Sequence, residues 1–578
     1  MGTHLILVVS NVRPSNTWRI AKRITREVPG AEICGIIQRP LQKLPLVQRL
    51  IAADPTEHST FLAPLVSKAS LRFQSMLRTL MHSVLWCIHG SPNKTSFTQF
   101  TTERLAKECG DTGWPFLLAE DLNDSSVLKF VEERKPELAL LLGEATLSPE
   151  LLGVPPRGWI RAGQSTPQDD ASKAPADVAI RIESFTRSSD NPFTIACLTL
   201  PLQPYDGLAG QTLKADLISE DLAVQSVIHL LAGSMVEAAN EVREWMQQMF
   251  SPYLKQLAAA RVTTVEKPTG PTRHRPTWKL WLDTLLLCSP LIVARNWYRR
   301  LRRRYPITIL THHVVSDRRH RMGISTELFW QQVRFLQRHY RIVSLTEAVE
   351  LLESGSVEVP TAVLTFDDGY ADNFVSLRAV AAETGIPVTL FIATQPVELQ
   401  QEFEHDLVNG VRGAFPLTWQ QIRYWGLQGV EFGSHTRTHF DCGCNDRTKL
   451  EWEIVGSRND LERYLRRAIE IFAFPFGRHE NISAEALELA AASYRHFVSG
   501  FGGENQCREQ TGNQHLLRKG FYANAWELEL DLQSIFDLVD NVKRKLHLRR
   551  SESRSRLAFH GFPVAITRRS RLETHLNP

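Results

Sequence analysis

Short apolar runs and helical-period stretches alternate along most of this chain. Residues 5–10, LILVVS, form an apolar run of strand length, and TWRIAKRITREV after it carries apolar positions at helical spacing. ICGIIQR at 33–39 reads as the next strand. Later, SSVLKFVEERKPELALLLG predicts a helix and then a strand at Leu138–Leu142. After Ser219 the pattern turns wholly helical, through DLAVQSVIHLLAGSMVEAANEVREWMQQMF. The alternation returns with ITILTHHVV at 307–315 as a buried strand, a helix through LFWQQVRFLQRHY, IVSL as a strand and TEAVELLESG as a helix. AVLTFDDG, IPVTLFIAT (386–394) and VEFGSHTRTH (430–439) continue the strand series. Strands separated by helices predict parallel sheets with helices on their faces, an α/β protein.

Between the two alternating regions lies VEKPTGPTRHRPTW, residues 265–278, where three prolines and Gly270 make a linker. A length of 578 residues predicts two to four domains. The expected division is 1–264, a linker with a basic amphipathic segment at 265–304, a second domain at 305–545 and a basic tail at 546–578. No G-x-G-x-x-G follows the first strand, which argues against a dinucleotide site.

Hydrophobic residues make up 43% and charged residues 22%, in the range of a globular protein, and a net charge of +4 makes no case for nucleic acid. The charge is uneven, however. RNWYRRLRRR at 295–304 carries six arginines and no acid, and residues 541–578 carry ten Lys or Arg against Glu552 and Glu573. Such runs are most often solvated, and less often meet anionic lipid or polymer. WLDTLLLCSPLIVA at 281–294 contains Asp283 and Pro290 and is too short to span a bilayer. With Trp278, Trp281, Trp297 and Tyr298 it suits a membrane surface, and it equally suits a helix packed between domains. The eight cysteines are scattered, and Cys442 with Cys444 make no zinc signature. The opening MGTHLILVVSNV reads as a strand rather than an export signal, so the expected location is cytoplasmic, with peripheral membrane contact.

The stretch VLTFDDGYADNF, 363–374, ends an apolar run with two aspartates and Gly369. An ordinary Asp-Gly turn explains it, with solvated Asp367 and Asp368. The alternative delivers two carboxylates to one site, one for a metal and one for a proton. His435 and His439 stand four residues apart, which on a helix or tight turn suits two ligands of one zinc, although either alone would more often be structural. In FAFPFG, Pro475 and Gly477 fix a loop that could aim a backbone N–H at an oxyanion, or simply turn.

TFDDG, then H-T-x-T-H, then F-P-F-G, each at a predicted strand end, resembles the polysaccharide deacetylase (NodB homology) family over about residues 305–540. The flanking ELFWQQVRFLQRHYRIVSLTEAVELLESG and SYRHFVSGFGGENQ agree. The resemblance implies a distorted (β/α) barrel. It implies a divalent metal, zinc first, held by Asp368, His435 and His439. It makes Asp367 the general base that takes a proton from the attacking water, and Phe476 the donor of an oxyanion N–H. The family's R-x-P-Y-G is altered, with Ala473 in place of the Arg that buttresses the base and Phe476 in place of the Tyr. A late His serves the family as general acid, and His560 in RLAFHG is the candidate here. His312 and His313 lie near the expected mouth, where a groove-lining or structural role is the plainer reading. Trp526 could wall an acyl pocket but is more readily a core residue.

The first region, about residues 1–235, resembles the Rossmann-like formyltransferase domain of methionyl-tRNA and sugar-nucleotide formyltransferases. The resemblance rests on the opening strand and helix and on DLNDSSVLKFVEERKPELALLLGEATLSPELLGVPPRGWI. In the family's G-x-I-N-x-H, Arg161 stands at the Asn and Gly163 at the His, with Asp190 as counterpart of a later Asp. The resemblance therefore implies a noncatalytic relative. The combined expectation is a metal-dependent enzyme removing an N-acetyl group from an amino sugar in a glycan, glycolipid or lipid-linked precursor. Sugar N-deformylation and a noncatalytic glycan-binding or scaffold role are the alternatives.

Overall fold

The computed structural model describes residues 3–40, 100–165, 177–186, 192–201, 207–262, 282–286, 289–316, 320–507, 514–520 and 525–533. The linker at 265–278, Asp190, His560, the side chain of Trp526 and the basic tail lie outside the described residues.

The first half is built on a seven-stranded sheet. Its strands are β1 (His4–Ser10), β2 (Ala31–Gln38), β3 (Phe116–Leu118), β4 (Leu138–Leu142), β5 (Trp159–Ser165), β6 (Asp177–Phe185) and β7 (Phe193–Pro201), in the order β3-β2-β1-β4-β5-β6-β7. β1 to β5 are parallel, as the alternation predicted. The order reverses between β1 and β4, the switch point at which open α/β sheets form a crevice. β6 and β7 add an antiparallel meander. Its signal was present in DVAIRIESF, where buried and less buried residues alternate as on a sheet with one wet face.

Three helices join this half to the next: α1 (Pro14–Glu27), α2 (Gly207–Ala232) and α3 (Met235–Val262). The chain turns helical at Gly207, earlier than expected, and it breaks at Gly233–Ser234. The break is a capping box, in which the Ser234 hydroxyl accepts from the Glu237 N–H and the Glu237 carboxylate accepts from the Ser234 N–H. α2 is buried on nearly every side, packed on β5 and β6 and on barrel helices. Its acids meet arginines of α1 and its N-cap: Arg13 binds Asp216 at 2.6 Å, Arg23 binds Asp221 at 2.9 Å, and Arg19 binds Glu220. From the second half, Arg378 binds Asp221, and Glu383 accepts from Arg13 at 2.7 Å and from Arg19 at 2.5 Å. The two halves thus share one buried charge network.

The second half is a closed parallel barrel. After α4 (Pro290–Arg302) come β8 (Ile307–His312), the short pair β9 (Val314–Val315) and β10 (Gly323–Ile324), and β11 (Arg341–Val343). There follow β12 (Thr361–Phe366), α5 (Ser376–Thr384), β13 (Thr389–Ile392), β14 (Glu431–Ser434), α6 (Arg447–Leu465), β15 (Ile471–Ala473), β16 (His496–Ser499) and β17 (His515–Lys519). Seven strands, β8-β12-β13-β14-β15-β16-β17, close when β17 pairs with β8. β11 pairs with the first half of β12 on the edge whose second half pairs with β13. Alternation along each strand sorts the residues. Ile309, Val363, Phe391, Ile471, Val498 and Leu516 fill the barrel, while Leu310, Leu364 and Phe366 pack against the other core. Gly433 is required in that interior, because a Cβ there would stand 2.5 Å from the Phe391 ring.

Candidate metal centre

The barrel mouth collects the chemistry of three loops. On β12 the inward row is Thr361, Val363, Thr365 and then Asp367, so strand alternation alone aims Asp367 into the mouth. Asp368 would face outward if the strand continued. Instead its backbone turns left-handed, at φ +70°, followed by Gly369 at +85°, and the Gly369 N–H donates to the Asp367 carbonyl at 2.8 Å. The strand ends here, and the left-handed turn brings Asp368 back over the mouth. Of the eight non-glycine residues at positive φ among the described residues, Asp368, Thr436, His439 and Phe476 lie in the three motif loops. Such conformations cost about 1–3 kcal/mol each and persist where packing enforces them.

The histidines reach Asp368 from β14. Gly433 and His435 share the inward face, and His435 stands one residue beyond the strand. The following segment is an irregular loop and not a helix. Glu453 of α6, buried, accepts from the N–H groups of Arg437 and Thr438, both at 2.9 Å, and from the Thr438 hydroxyl at 2.6 Å. The Thr436 hydroxyl accepts from the Phe440 N–H at 2.9 Å. So held, His435 Nε2 lies 3.3 Å and His439 Nε2 3.1 Å from the same oxygen of Asp368. Three donors on a tetrahedral zinc stand about 3.4 Å apart at bonds near 2.1 Å, so the spacing fits a shared ion.

The hydrogen bonds say more. His435 Nδ1 lies 2.8 Å from the Ala473 carbonyl, which can only accept, so Nδ1 carries the proton, and in the neutral tautomer Nε2 presents a lone pair. That lone pair faces a carboxylate. Asp368 is fully buried, and neither of its oxygens makes a hydrogen bond. Two acceptors aimed at one point in a buried site call for a cation between them. Asp368, His435 and His439 form a group of potential metal ligands with donor atoms within 4.8 Å of one another.

Asp367 is paired differently. Arg518 of β17 clamps it with two bonds, of 2.6 and 2.8 Å, and also donates to Thr365 at 3.3 Å. Burial pushes the Asp367 carboxyl up, but Arg518 more than offsets it and holds it below the ordinary range. Arg518 is thus the cation missing at Ala473. Both positions face the barrel interior, and the small Ala473 leaves room for an arginine reaching from β17. Sequence reasoning missed it because LLRKG has no motif, although a lone Arg in a buried strand was a signal.

Phe476 is half-exposed at φ +60°, its ring 4.8 Å from that of His439, and its N–H has no acceptor among the described residues. Gly477 is forced, since a Cβ there would lie 2.6 Å from the Gly500 nitrogen. His312 lies beneath the mouth, stacked on Phe366 and edge-on to Phe329, and burial pushes it down to about 4. It is structural. His313 is close enough to both carboxylates to feel their charge, although burial lowers it. Sequence reasoning also missed His405, whose Nε2 lies 3.7 Å from the second oxygen of Asp368. The Tyr370 hydroxyl donates to Asp406 at 2.7 Å, so it accepts from His405 Nε2–H at 3.0 Å. His405 therefore walls the mouth as a neutral donor, and burial pushes it down to about 4.

The first half's mouth, at the ends of β1, β4 and β5, is closed by its own charges. Arg161 binds Glu183 and lies 3.5 Å from Glu144, and the Asn11 side chain donates to the Glu144 carbonyl at 2.9 Å.

Comparison with known proteins reaches both halves of the chain. Residues 354–494 match the family model described as polysaccharide deacetylase, so the second half carries a segment of that family. YxkH of Bacillus subtilis (strain 168), a polysaccharide deacetylase by name only, is 22% identical over 184 residues, 32% of this chain and 61% of YxkH. The chain thus spans under two thirds of that relative. A Streptococcus pyogenes deacetylase, PplD, solved with acetate, is 22% identical, covering 40% of this chain and 99% of its own, with a TM-score of 0.34. A phosphoribosylglycinamide formyltransferase from Bacillus halodurans is 10% identical, covering 40% of this chain and 96% of its own, with a TM-score of 0.25. At such scores neither structural likeness bears on the function of this chain.

Proposed function

We propose that the barrel is a divalent-metal-dependent hydrolase, acting in the cytoplasm, that removes the N-acetyl group from an amino sugar in a glycan, glycolipid or lipid-linked precursor. The observation that carries the proposal is the buried Asp368 carboxylate, without hydrogen bonds and faced by the lone pair of His435. Asp368, His435 and His439 would hold the ion, zinc by donor chemistry, and its charge would polarise the acyl carbonyl and acidify the attacking water. The remaining work falls to the chain. Asp367, kept ionised by Arg518, takes the proton of that water. The free N–H of Phe476 donates to the oxygen that becomes negative as the carbonyl turns tetrahedral. His405 lines the mouth with its one N–H held by Tyr370, which leaves the other ring nitrogen as an acceptor for a sugar hydroxyl. His560 is assigned the proton for the departing amine on the family's pattern, with His313, which feels the charge of both carboxylates, as a substitute among the described residues.

The test is elemental analysis of the purified protein and of a His435→Ala/His439→Ala variant, followed by incubation with N-acetylated and N-formylated amino-sugar oligomers. About one ion per chain, absent from the variant, with release of acetate, supports the reading. Release of formate alone moves it to deformylation. A chain that binds no ion, even after reconstitution, leaves a glycan-binding role.

A further inference from the structure

The described residues expose sixteen large apolar side chains, and seven of them fall within the twenty residues from Leu282 to Leu301. Scattered exposure needs no explanation, but this concentration does. On α4 the exposed apolar positions are Pro290, Leu291, Ala294, Trp297, Tyr298 and Leu301, which repeat at three- and four-residue steps along one side. Leu291 is 84% exposed, Trp297 64% and Leu301 63%. The polar contacts lie on the other side. Arg299 is clamped to Glu504 at 2.6 and 3.2 Å, and Asn296, buried, donates to Gln533 at 2.9 Å. α4 therefore keeps Arg299 and Asn296 against the protein beside the buried Ile292 and turns a continuous apolar stripe outward, an inversion of the usual polar outer face of a surface helix. Just before it, Leu282, Leu285 and Leu286 are exposed while Asp283 and Thr284 are buried, which repeats the inversion.

The rim of this face is cationic. By helical spacing Arg302 borders one edge and Arg300 the other, and exposed Arg303 and Arg304 follow at the end. The Arg302 guanidinium lies 5.8 Å from the centre of the Tyr298 ring. From Arg295 to Arg304 there is no acid.

We propose that α4 and the segment at 282–286 dock this protein on an anionic lipid surface, with the helix in the plane of the interface. Leucines, Trp297 and Tyr298 enter the headgroup and acyl boundary, and the arginines meet lipid phosphates. A helix of 13 residues is about 20 Å long and cannot cross an apolar layer of about 30 Å, so it lies on the surface. A second copy fits the face poorly, because a twofold contact would set the arginine rim against itself. The tail at 541–578 fits poorly for the same reason, since it too is basic. Chain continuity gives the orientation. α4 runs into the start of β8, whose other end is at the mouth, so the docked barrel turns its mouth away from the bilayer, which among the substrates proposed above favours a glycan in solution over a lipid-linked one.

The experiment is co-sedimentation of the full chain with vesicles of phosphatidylcholine alone or with one third phosphatidylglycerol. Binding to the anionic vesicles should exceed binding to the neutral ones by about tenfold or more, and Leu291→Asp/Trp297→Asp/Leu301→Asp should abolish the gain. Arg300→Gln/Arg302→Gln should weaken it roughly fivefold per charge. All three side chains of the first variant are exposed, so thermal unfolding and metal content should match the wild type. Equal pelleting of the triple variant, or no pelleting of the wild type, overturns the proposal. A concentration-dependent dimer that the triple variant dissolves, with no vesicle binding, overturns it in favour of a second copy.

Discussion

Both halves of this protein present parallel strands ending at a mouth, and the two mouths differ in what is left over. At the sheet of the first half, Arg161 is answered by Glu183 and Glu144, and Asn11 by a backbone carbonyl. At the barrel, Asp368 is buried with no hydrogen bond, the neighbouring histidine offers it a lone pair, and the Phe476 N–H has no acceptor among the described residues. Fold places side chains at a mouth, but a chemical site shows itself by groups whose partners must come from outside. Substitutions at either mouth can break that contrast.

The largest effect is expected at Asp368. Asp368→Ala removes a ligand and the only carboxylate of the triad. It should abolish stoichiometric metal uptake and lower amide hydrolysis by at least about a thousandfold. Because an unpaired buried charge disappears with it, the metal-free variant should be no less stable to heat than the metal-free wild type. A metal-free variant markedly less stable than metal-free wild type would show that Asp368 is a structural group.

Arg518→Gln should come next. It leaves Asp367 buried with its cation removed, and breaking a buried pair on one side costs about 3–5 kcal/mol. Metal content should survive, which separates this variant from Asp368→Ala. Asp367→Asn is its counterpart: the ion stays and turnover falls about 10²–10⁴-fold. If Arg518→Gln lost metal as completely as a ligand variant, Asp367 and Asp368 would not be dividing their roles.

Between the mouths lies the shared charge network, and it makes a pH test. Burial would push the Glu383 carboxyl up, but Arg13 and Arg19 hold it below the ordinary carboxylate value. A depressed folded pKa gives stability that is present above the unfolded value, about 4.3, and is lost as pH falls through the folded one. Glu383→Gln should therefore lower the melting temperature at neutral pH, and the gap to wild type should close below about pH 4. A gap independent of pH would mean that the pair contributes by packing and not by charge.

Much of this was legible. The helix and strand order, the parallel sheets and the DD, HxxxH and FPFG loops follow from periodicity and local residue type. Arg518 was not legible, because its partner is 151 residues away and only barrel closure brings β17 beside β8, one strand from β12. Glu453 and His405 were hidden for the same reason, each within a helix that carries no motif. The left-handed turn at Asp368 was hidden for another. A strained conformation is imposed by surroundings and leaves no mark on the residue that adopts it.

The smallest effect should come from the quiet mouth. The side chain of Arg161 is partly exposed, so its pairs with Glu183 and Glu144 are screened by water and are worth about 1 kcal/mol or less. Arg161→Ala should shift the melting temperature by no more than a few degrees and leave metal content and hydrolysis unchanged. Arg161→Asn/Gly163→His, which rewrites the two altered positions of the formyltransferase motif, should yield no formyl transfer. A Cβ at Gly163 would stand 2.2 Å from a Glu144 carboxylate oxygen, so that side chain must swing away before the new His has room. If the double variant acquired formyl transfer, the first half would be a working site silenced at two positions. If it stayed inert while the barrel kept full activity, the first half serves through the surface that α1 and α2 present to the barrel.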